Sequence, residues 1–307
     1  MDPSLISVAV VMAHVGLILV AGVSYLRRAR VDRPPVGVFN GRDVLVVAVA
    51  LVVIPPLYLA VPVLALAAVL AVLSTAMLHF SLSPLLGGRR ASRVAVVLVV
   101  LDIVVAEISR ADAEWLFLLV NNLALGIVVV GVCNIWAQSG IRAAHVALLA
   151  CGLAVYDAIA TVALPLMEDF VNRLQSVPLT PMLVWGHESG QVGIGLGDLL
   201  LVLVWTLVAE RAFSRRAGLL AAALGASCVS GLLLAFWLDL VNRPLPAMVV
   251  LGPAIGLHYV VLARRTKHQR TTGEYFASLK NPATAPQAAA IARPALPLGT
   301  AGAGSRP

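Results

Sequence analysis

Apolar residues in this chain come in long unbroken runs, and the short segments between them hold most of the charge. A helix rises 1.5 Å per residue, so a run near twenty residues matches the thickness of a bilayer. Nine such spans can be drawn. They are Leu5–Leu26, two within Val44–Phe80, Val94–Ile108, Trp115–Trp136, Ala143–Leu166, Val192–Ala209, Leu219–Leu240 and Leu245–Ala263. The block from Val44 to Phe80 is too long for one crossing, and Pro55, Pro56 and Pro62 predict a tight hairpin inside it. The pattern predicts an all-α polytopic membrane protein of about nine transmembrane helices. Residues 1–142 form an N-terminal five-helix scaffold and 143–263 hold spans six to nine. The polar, then Ala/Pro/Gly-rich tail 264–307 is expected to be disordered.

Composition agrees with this reading. The chain is 60% hydrophobic and 12% charged, with a mean hydropathy of +0.96. Those values exclude a soluble globular domain. The net charge of +7 does not point to nucleic acid, because the arginines lie between apolar spans rather than on one amphipathic surface. They follow the positive-inside rule instead. With the N-terminus outside, all but Arg110, Arg173 and Arg243 of the 22 basic residues fall on the inner side. Only an odd number of spans keeps that alternation, so the expectation is N-terminus out and C-terminus cytoplasmic. The N-terminus has Asp2 before its apolar run and Arg27, Arg28 and Arg30 after it, which describes a span rather than a cleavable signal. Abundant Ala, Val and Arg suggest a GC-rich bacterial genome and a plasma membrane.

The three cysteines, Cys133, Cys151 and Cys228, fit no metal-binding spacing and are expected to be buried free thiols. There is no His-Glu-x-x-His, so a zinc protease is unsupported, and no metal or cofactor is expected.

Two aspartates break the apolar pattern, in Tyr156-Asp157 and in Gly195-Leu196-Gly197-Asp198. An intramembrane carboxylate is costly and is a functional hypothesis by default. The topology places Asp157 about ten residues from the outer end of span six and Asp198 about seven from the outer start of span seven. Both then lie roughly 10–15 Å below the outer surface. Two helices joined by one loop can bring them face to face. Such a pair holds a single shared proton near neutral pH. The ionised member can take a proton from an attacking water while the protonated member polarises a peptide carbonyl. Gly193, Gly195 and Gly197 allow close helix approach and let the backbone loosen at the start of the span, where an extended peptide could bind. Tyr156 can donate a hydrogen bond beside Asp157.

These residues resemble the presenilin/signal peptide peptidase family of intramembrane aspartyl proteases. The likeness rests on Tyr-Asp in a sixth span, Gly-x-Gly-Asp in a seventh and Pro246-Ala247-Met248 opening a ninth, where the family has Pro-Ala-Leu. It covers roughly Ala143 to Ala263; the first five spans match only in number. The resemblance implies that Asp157 and Asp198 are catalytic. It implies that Tyr156, Gly195, Leu196, Gly197, Pro246, Ala247 and Met248 shape the site and bind substrate. A literal Pro294-Ala295-Leu296-Pro297 lies in the tail, with no span after it, and reads as a chance match. The orientation is that of the signal peptide peptidase branch. That implies substrates that are single type II spans or remnant signal peptides, and no obligate accessory subunit. Homo-oligomerisation is left open.

Competing readings remain at this level. A type IV prepilin peptidase also uses Gly-x-Gly-Asp but cuts near the cytoplasmic face. A proton-coupled transporter or membrane scaffold would also hold intramembrane carboxylates, though no internal repeat is visible. Asp102 and Glu107 match no motif and read as structural. Asn121 and Asn122 read as interhelical hydrogen-bonding glue. Ser227 and Ser230 with His258 faintly suggest a serine–histidine pair, which small-residue packing explains better. The segment Met167–Ser189, with Pro178, Pro181, Trp185 and His187, is expected to be a partly ordered outer loop.

Overall fold

A computed structural model of the protein describes residues 3–31, 41–108, 114–163, 169, 173, 177–186, 191–238, 240, 247–266 and 268–280. The helices are α1 (Pro3–Arg28), α2 (Gly41–Ala60), α3 (Val63–Leu86), α4 (Gly88–Ile108), α5 (Glu114–Gln138) and α6 (Ala143–Ala158). They continue with α7 (Leu196–Ala212), α8 (Arg215–Trp237), α9 (Ala247–Arg265) and the short α10 (Thr272–Lys280). A two-stranded antiparallel hairpin, β1 (Met182–Trp185) and β2 (Val192–Gly195), sits between α6 and α7. Among the described residues, six helices are long and apolar enough to cross a membrane: α1, α3, α5, α6, α8 and α9. The architecture is that of an all-α, multi-pass integral membrane protein. Of the other long helices, α4 carries Arg89, Arg90, Arg93, Asp102 and Glu107, and α7 is only 17 residues long.

The elements follow from local chemistry. The chain stays helical through Pro55 and Pro56 and breaks at Val61-Pro62, so Pro62 alone divides the apolar block; α2 then packs chiefly on α6, which corrects the expected tight hairpin with α3. Pro62 is extended (φ −56°, ψ 144°), and its carbonyl accepts from Leu66 N at 2.9 Å to start α3. Span seven begins later than its hydropathy suggests. Val192–Gly195 is a strand, because alternating glycines are poor helix formers while Val192 and Ile194 are buried on one strand face.

One core joins α1 and α5 to α6–α9, with the fully buried Trp205, Leu203 and Leu207 of α7 at its centre. A second cluster, including Leu66, Leu70, Leu78, Ala95 and Val99, holds α3 and α4 together. The expected disorder of the tail is corrected for part of its length. Residues 272–280 form α10, which docks Tyr275 into the main core. Its N-terminus is a reciprocal capping box: Thr271 N donates to Glu274 Oε2 (2.8 Å) and Glu274 N donates to Thr271 Oγ1 (3.3 Å). The expectation of three buried thiols is also corrected. Cys133 is buried, Cys228 is half-buried and Cys151 is exposed on the bundle surface.

Candidate active site

The site lies where α6, α7 and α9 meet. Of the helix pairs, α6 and α9 pack most intimately, because both present small residues at the seam. A Cβ on Gly252 would stand 2.5 Å from the Ala150 carbonyl oxygen and 2.6 Å from Ala154 Cβ. One on Gly256 would stand 2.9 Å from Cys151 Sγ. Gly252 and Gly256 form a Gly-x-x-x-Gly face that lets the two backbones approach.

That approach places the start of α9 against Asp157. Met248 N, in the first turn of α9, donates to Asp157 Oδ2 at 3.0 Å. The other oxygen, Oδ1, accepts from Thr161 Oγ1 at 3.3 Å. Thr161 lies in a π-helical turn, Ile159–Ala163, that continues α6 past Asp157. Single π turns within helices often mark functional positions. The hydroxyl of Tyr156 is buried with no hydrogen-bond partner among the described residues. The hydrogen bond expected of it is therefore unmade here.

Asp198 sits in the first turn of α7, nearer the helix start than the sequence suggests. Backbone N–H groups at a helix N-terminus favour a carboxylate there. The Asp198 carboxyl accepts a backbone hydrogen bond from Gly195, and it is close enough to Asp157 to interact with it electrostatically. Gly195 and Gly197 clear the space around it. A Cβ on Gly195 would stand 3.3 Å from Asp198 Oδ2, and one on Gly197 would stand 3.2 Å from Met248 Cε. Tyr156-Asp157, Gly195–Asp198 and Met248 therefore converge on one spot. Leu196 is anchored by its N–H to the Pro181 carbonyl at 2.9 Å, and Ala247 begins α9. Pro246 lies outside the described residues.

Comparison with models of known protein families gives no match, and comparison with curated proteins gives none. The chemistry of this site therefore rests on its own geometry.

The hairpin is the part sequence reasoning missed. Its register is Met182↔Gly195, Leu183↔Ile194, Val184↔Gly193 and Trp185↔Val192, so it ends directly at Leu196 and Asp198. The far edge of β1 is held by α5. Asn122 Nδ2 donates to the Val184 carbonyl (2.7 Å) and Asn122 Oδ1 accepts from Val184 N (3.1 Å). Asn121 Nδ2 reaches the carbonyls of Thr180 (3.3 Å) and Met182 (3.2 Å). These asparagines thus tie a helix to a strand rather than a helix to a helix. Asp102, fully buried on α4, accepts from Leu179 N at 2.9 Å. That bond holds Leu179 in a left-handed conformation (φ 60°) at the entry to β1. The structural reading of Asp102 gains a specific content: it fixes the loop that leads to the hairpin.

The serine–histidine idea is overturned. His258 Nδ1 accepts from Trp205 Nε1 at 3.2 Å, Ser230 Oγ lies against Met12 Sδ, and Ser227 is exposed. His187 lies outside the described residues. Among the described residues, no group of His, Cys, Asp or Glu could hold a metal ion.

Proposed function

We propose that the protein is an intramembrane aspartyl protease that hydrolyses peptide bonds within transmembrane segments, using Asp157 and Asp198 as its dyad. The observation that carries this reading is the convergence of two carboxyls, from separate helices, beside an unpaired buried tyrosine hydroxyl and an exposed glycine of a two-stranded hairpin. The two carboxyls share one proton. The ionised member removes a proton from water as that water attacks the scissile carbonyl, and the protonated member donates to the carbonyl oxygen. The proton taken from water then passes to the amide nitrogen and a hydroxyl proton of the tetrahedral intermediate returns to the other carboxylate, so that the C–N bond breaks to give an amine and a carboxylic acid. The Tyr156 hydroxyl supplies a further donor. A peptide unwound from its helix can pair with the second edge of β2, which would lay its backbone beside Asp198.

The fuller reading has nine spans, the N-terminus outside and the C-terminus cytoplasmic in a bacterial plasma membrane, and signal peptide peptidase-like substrates of type II orientation. It needs no cofactor and no accessory subunit. Orientation separates it from a prepilin peptidase: Gln191→Cys should react with a membrane-impermeant thiol reagent from the outer face, and reaction only from the cytoplasmic face would favour the prepilin-type enzyme.

One observation favours a second reading. Asp157 accepts from Met248 N at the start of α9, so it can be a structural helix cap. A cleavage assay in liposomes decides between the two, using a single-span type II peptide with a helix-weakened centre. The protease reading expects cleavage by wild type and a loss of about 1,000-fold or more in both Asp157→Ala and Asp198→Ala, with folding retained. Cleavage retained in either variant overturns it.

A further inference from the structure

We infer that the α3–α4 hairpin carries a binding site for an anionic glycerophospholipid, with its phosphate at Arg89, Ser92 and Arg93 and one acyl chain in the groove between the helices. The inference rests on this hairpin alone and does not depend on the proposed proteolytic activity.

The hairpin turns through Gly87, whose φ of +76° suits only glycine, and enters α4 directly at Gly88. Between the helices runs a groove of about 510 Å³. Val72, Ala76 and Phe80 of α3 and Val96 of α4 give it apolar walls, while His79 and Ser92 line its other end. Val72, Phe80 and Val96 are exposed, so the groove opens outward from the bundle. Its polarity is graded along the helix axes. His79 is seven residues from the end of α3, about 10 Å, and Val72 lies a further 10 Å or so toward the middle of the span.

The polar end is built rather than incidental. Ser92 Oγ donates to the Gly88 carbonyl (3.0 Å) and lies 3.0 Å from His79 Nδ1. Ser83 Oγ donates to the His79 carbonyl (2.7 Å) and lies 3.3 Å from His79 Nε2. The imidazole is thus held between two hydroxyls at the mouth of an apolar groove. Arg89 and Arg93 stand three residues before and one residue after Ser92, and four apart from each other. Ser92 and Arg93 therefore each neighbour Arg89 on the helix surface, at i+3 and i+4. All three are exposed.

Charge decides the occupant. From Val44 to Leu101 the sequence contains no Asp or Glu, and Arg89, Arg90 and Arg93 form no ion pair among the described residues. The positive-inside rule accounts for arginines at this turn. It does not account for a serine and a histidine placed between them and an outward-facing apolar groove. A phosphodiester joined to an acyl chain matches both halves of the site, and each basic residue near a lipid headgroup adds roughly five-fold in affinity.

The test is native mass spectrometry of the full chain in detergent, titrated with phosphatidylglycerol or phosphatidylcholine of identical acyl chains. The expected result is retention of one phosphatidylglycerol in clear preference to phosphatidylcholine. In Arg89→Gln/Arg93→Gln that affinity should fall about 30-fold. Ala76→Phe should weaken retention of both lipids by filling the groove, while Arg264→Gln/Arg265→Gln, in the last turn of α9, should leave retention unchanged. Equal retention of both lipids by wild type, or an undiminished preference in Arg89→Gln/Arg93→Gln, overturns the site. An equal loss in Arg264→Gln/Arg265→Gln also overturns it, since the attraction would then be diffuse. The arginine variants alter exposed side chains only, so the outcome stands even if Ala76→Phe disturbs the helix pair.

Discussion

Helix α7 carries a carboxylate at each end, and the two are treated in opposite ways. Glu210, in its last turn, is buried and fully engaged. It accepts from Arg27 Nε at 2.8 Å and from Tyr275 Oη at 3.0 Å, and its own carbonyl accepts from Arg270 Nη2 at 2.7 Å. Its neighbour Arg211 donates to the carbonyls of Ala137 and Ile141, closing the C-terminal end of α5. Arg270 N also donates to the Ala212 carbonyl, and Arg30 lies over the Phe276 ring. This end is a clasp of α1, α5, α7 and α10. Asp198, at the other end, meets the backbone of Gly195 rather than a basic or hydroxyl side chain among the described residues, and interacts electrostatically with a second carboxyl. A buried charge that meets its partners is fixed in one state. One with no cation against it, beside a like charge, keeps a proton available for exchange. The difference separates a structural carboxylate from one suited to catalysis.

Glu210→Ala would leave Arg27 and the Tyr275 hydroxyl without their shared acceptor. It should cost about 3 kcal/mol of stability, read by denaturant unfolding in detergent, with Glu210→Gln costing less. An Ala variant as stable as wild type would show that the clasp is ornamental. The seam under Asp157 comes next. Gly252→Val forces a side chain into the Ala150 carbonyl and Ala154, so it should cost about 1–3 kcal/mol. It should also draw Met248 N away from Asp157, lowering any cleavage more than Gly231→Val does, because Gly231 has open space around it.

The hairpin support is a smaller effect. Asn122→Ala removes both side-chain bonds to Val184, and amide exchange across β1 and β2 should quicken about ten-fold while the helices stay protected. Unchanged exchange would remove α5 from the account of the site. The smallest effect is at α10. The Thr271 N–H, and then His268, hold the Glu274 carboxyl below its ordinary range. Its contribution is therefore complete above the ordinary glutamate value and is lost as pH falls through the lowered folded value. Glu274 is half-buried at the protein surface, so only a few tenths of a kcal/mol are expected after solvent screening. Fraying of α10 at acid pH, followed by exchange, should be present in wild type and absent in Glu274→Gln.

The helices and the two aspartates were legible because each signal is local. Apolar runs near twenty residues long and a carboxyl within one need no knowledge of the rest of the chain. The hairpin was not legible, because Val192–Gly195 is apolar enough to read as the start of a span. What makes it a strand is pairing with Met182–Trp185 and the support of Asn121 and Asn122, over sixty residues away. The clasp was hidden for the same reason: Arg27, Glu210, Arg270 and Tyr275 meet only in the folded chain. Two further local signals lie in the sequence. Thr271-x-x-Glu274 is a capping box that announces α10, and Gly252-x-x-x-Gly256 announces the α6–α9 seam.

The most direct test sets the two ends of α7 against each other in one cleavage assay, with Asp198→Asn and Glu210→Gln measured beside wild type on the same type II peptide. The account predicts no cleavage by a normally stable Asp198→Asn, and retained cleavage by Glu210→Gln with a lowered unfolding midpoint. Cleavage by Asp198→Asn at the wild-type rate would contradict it.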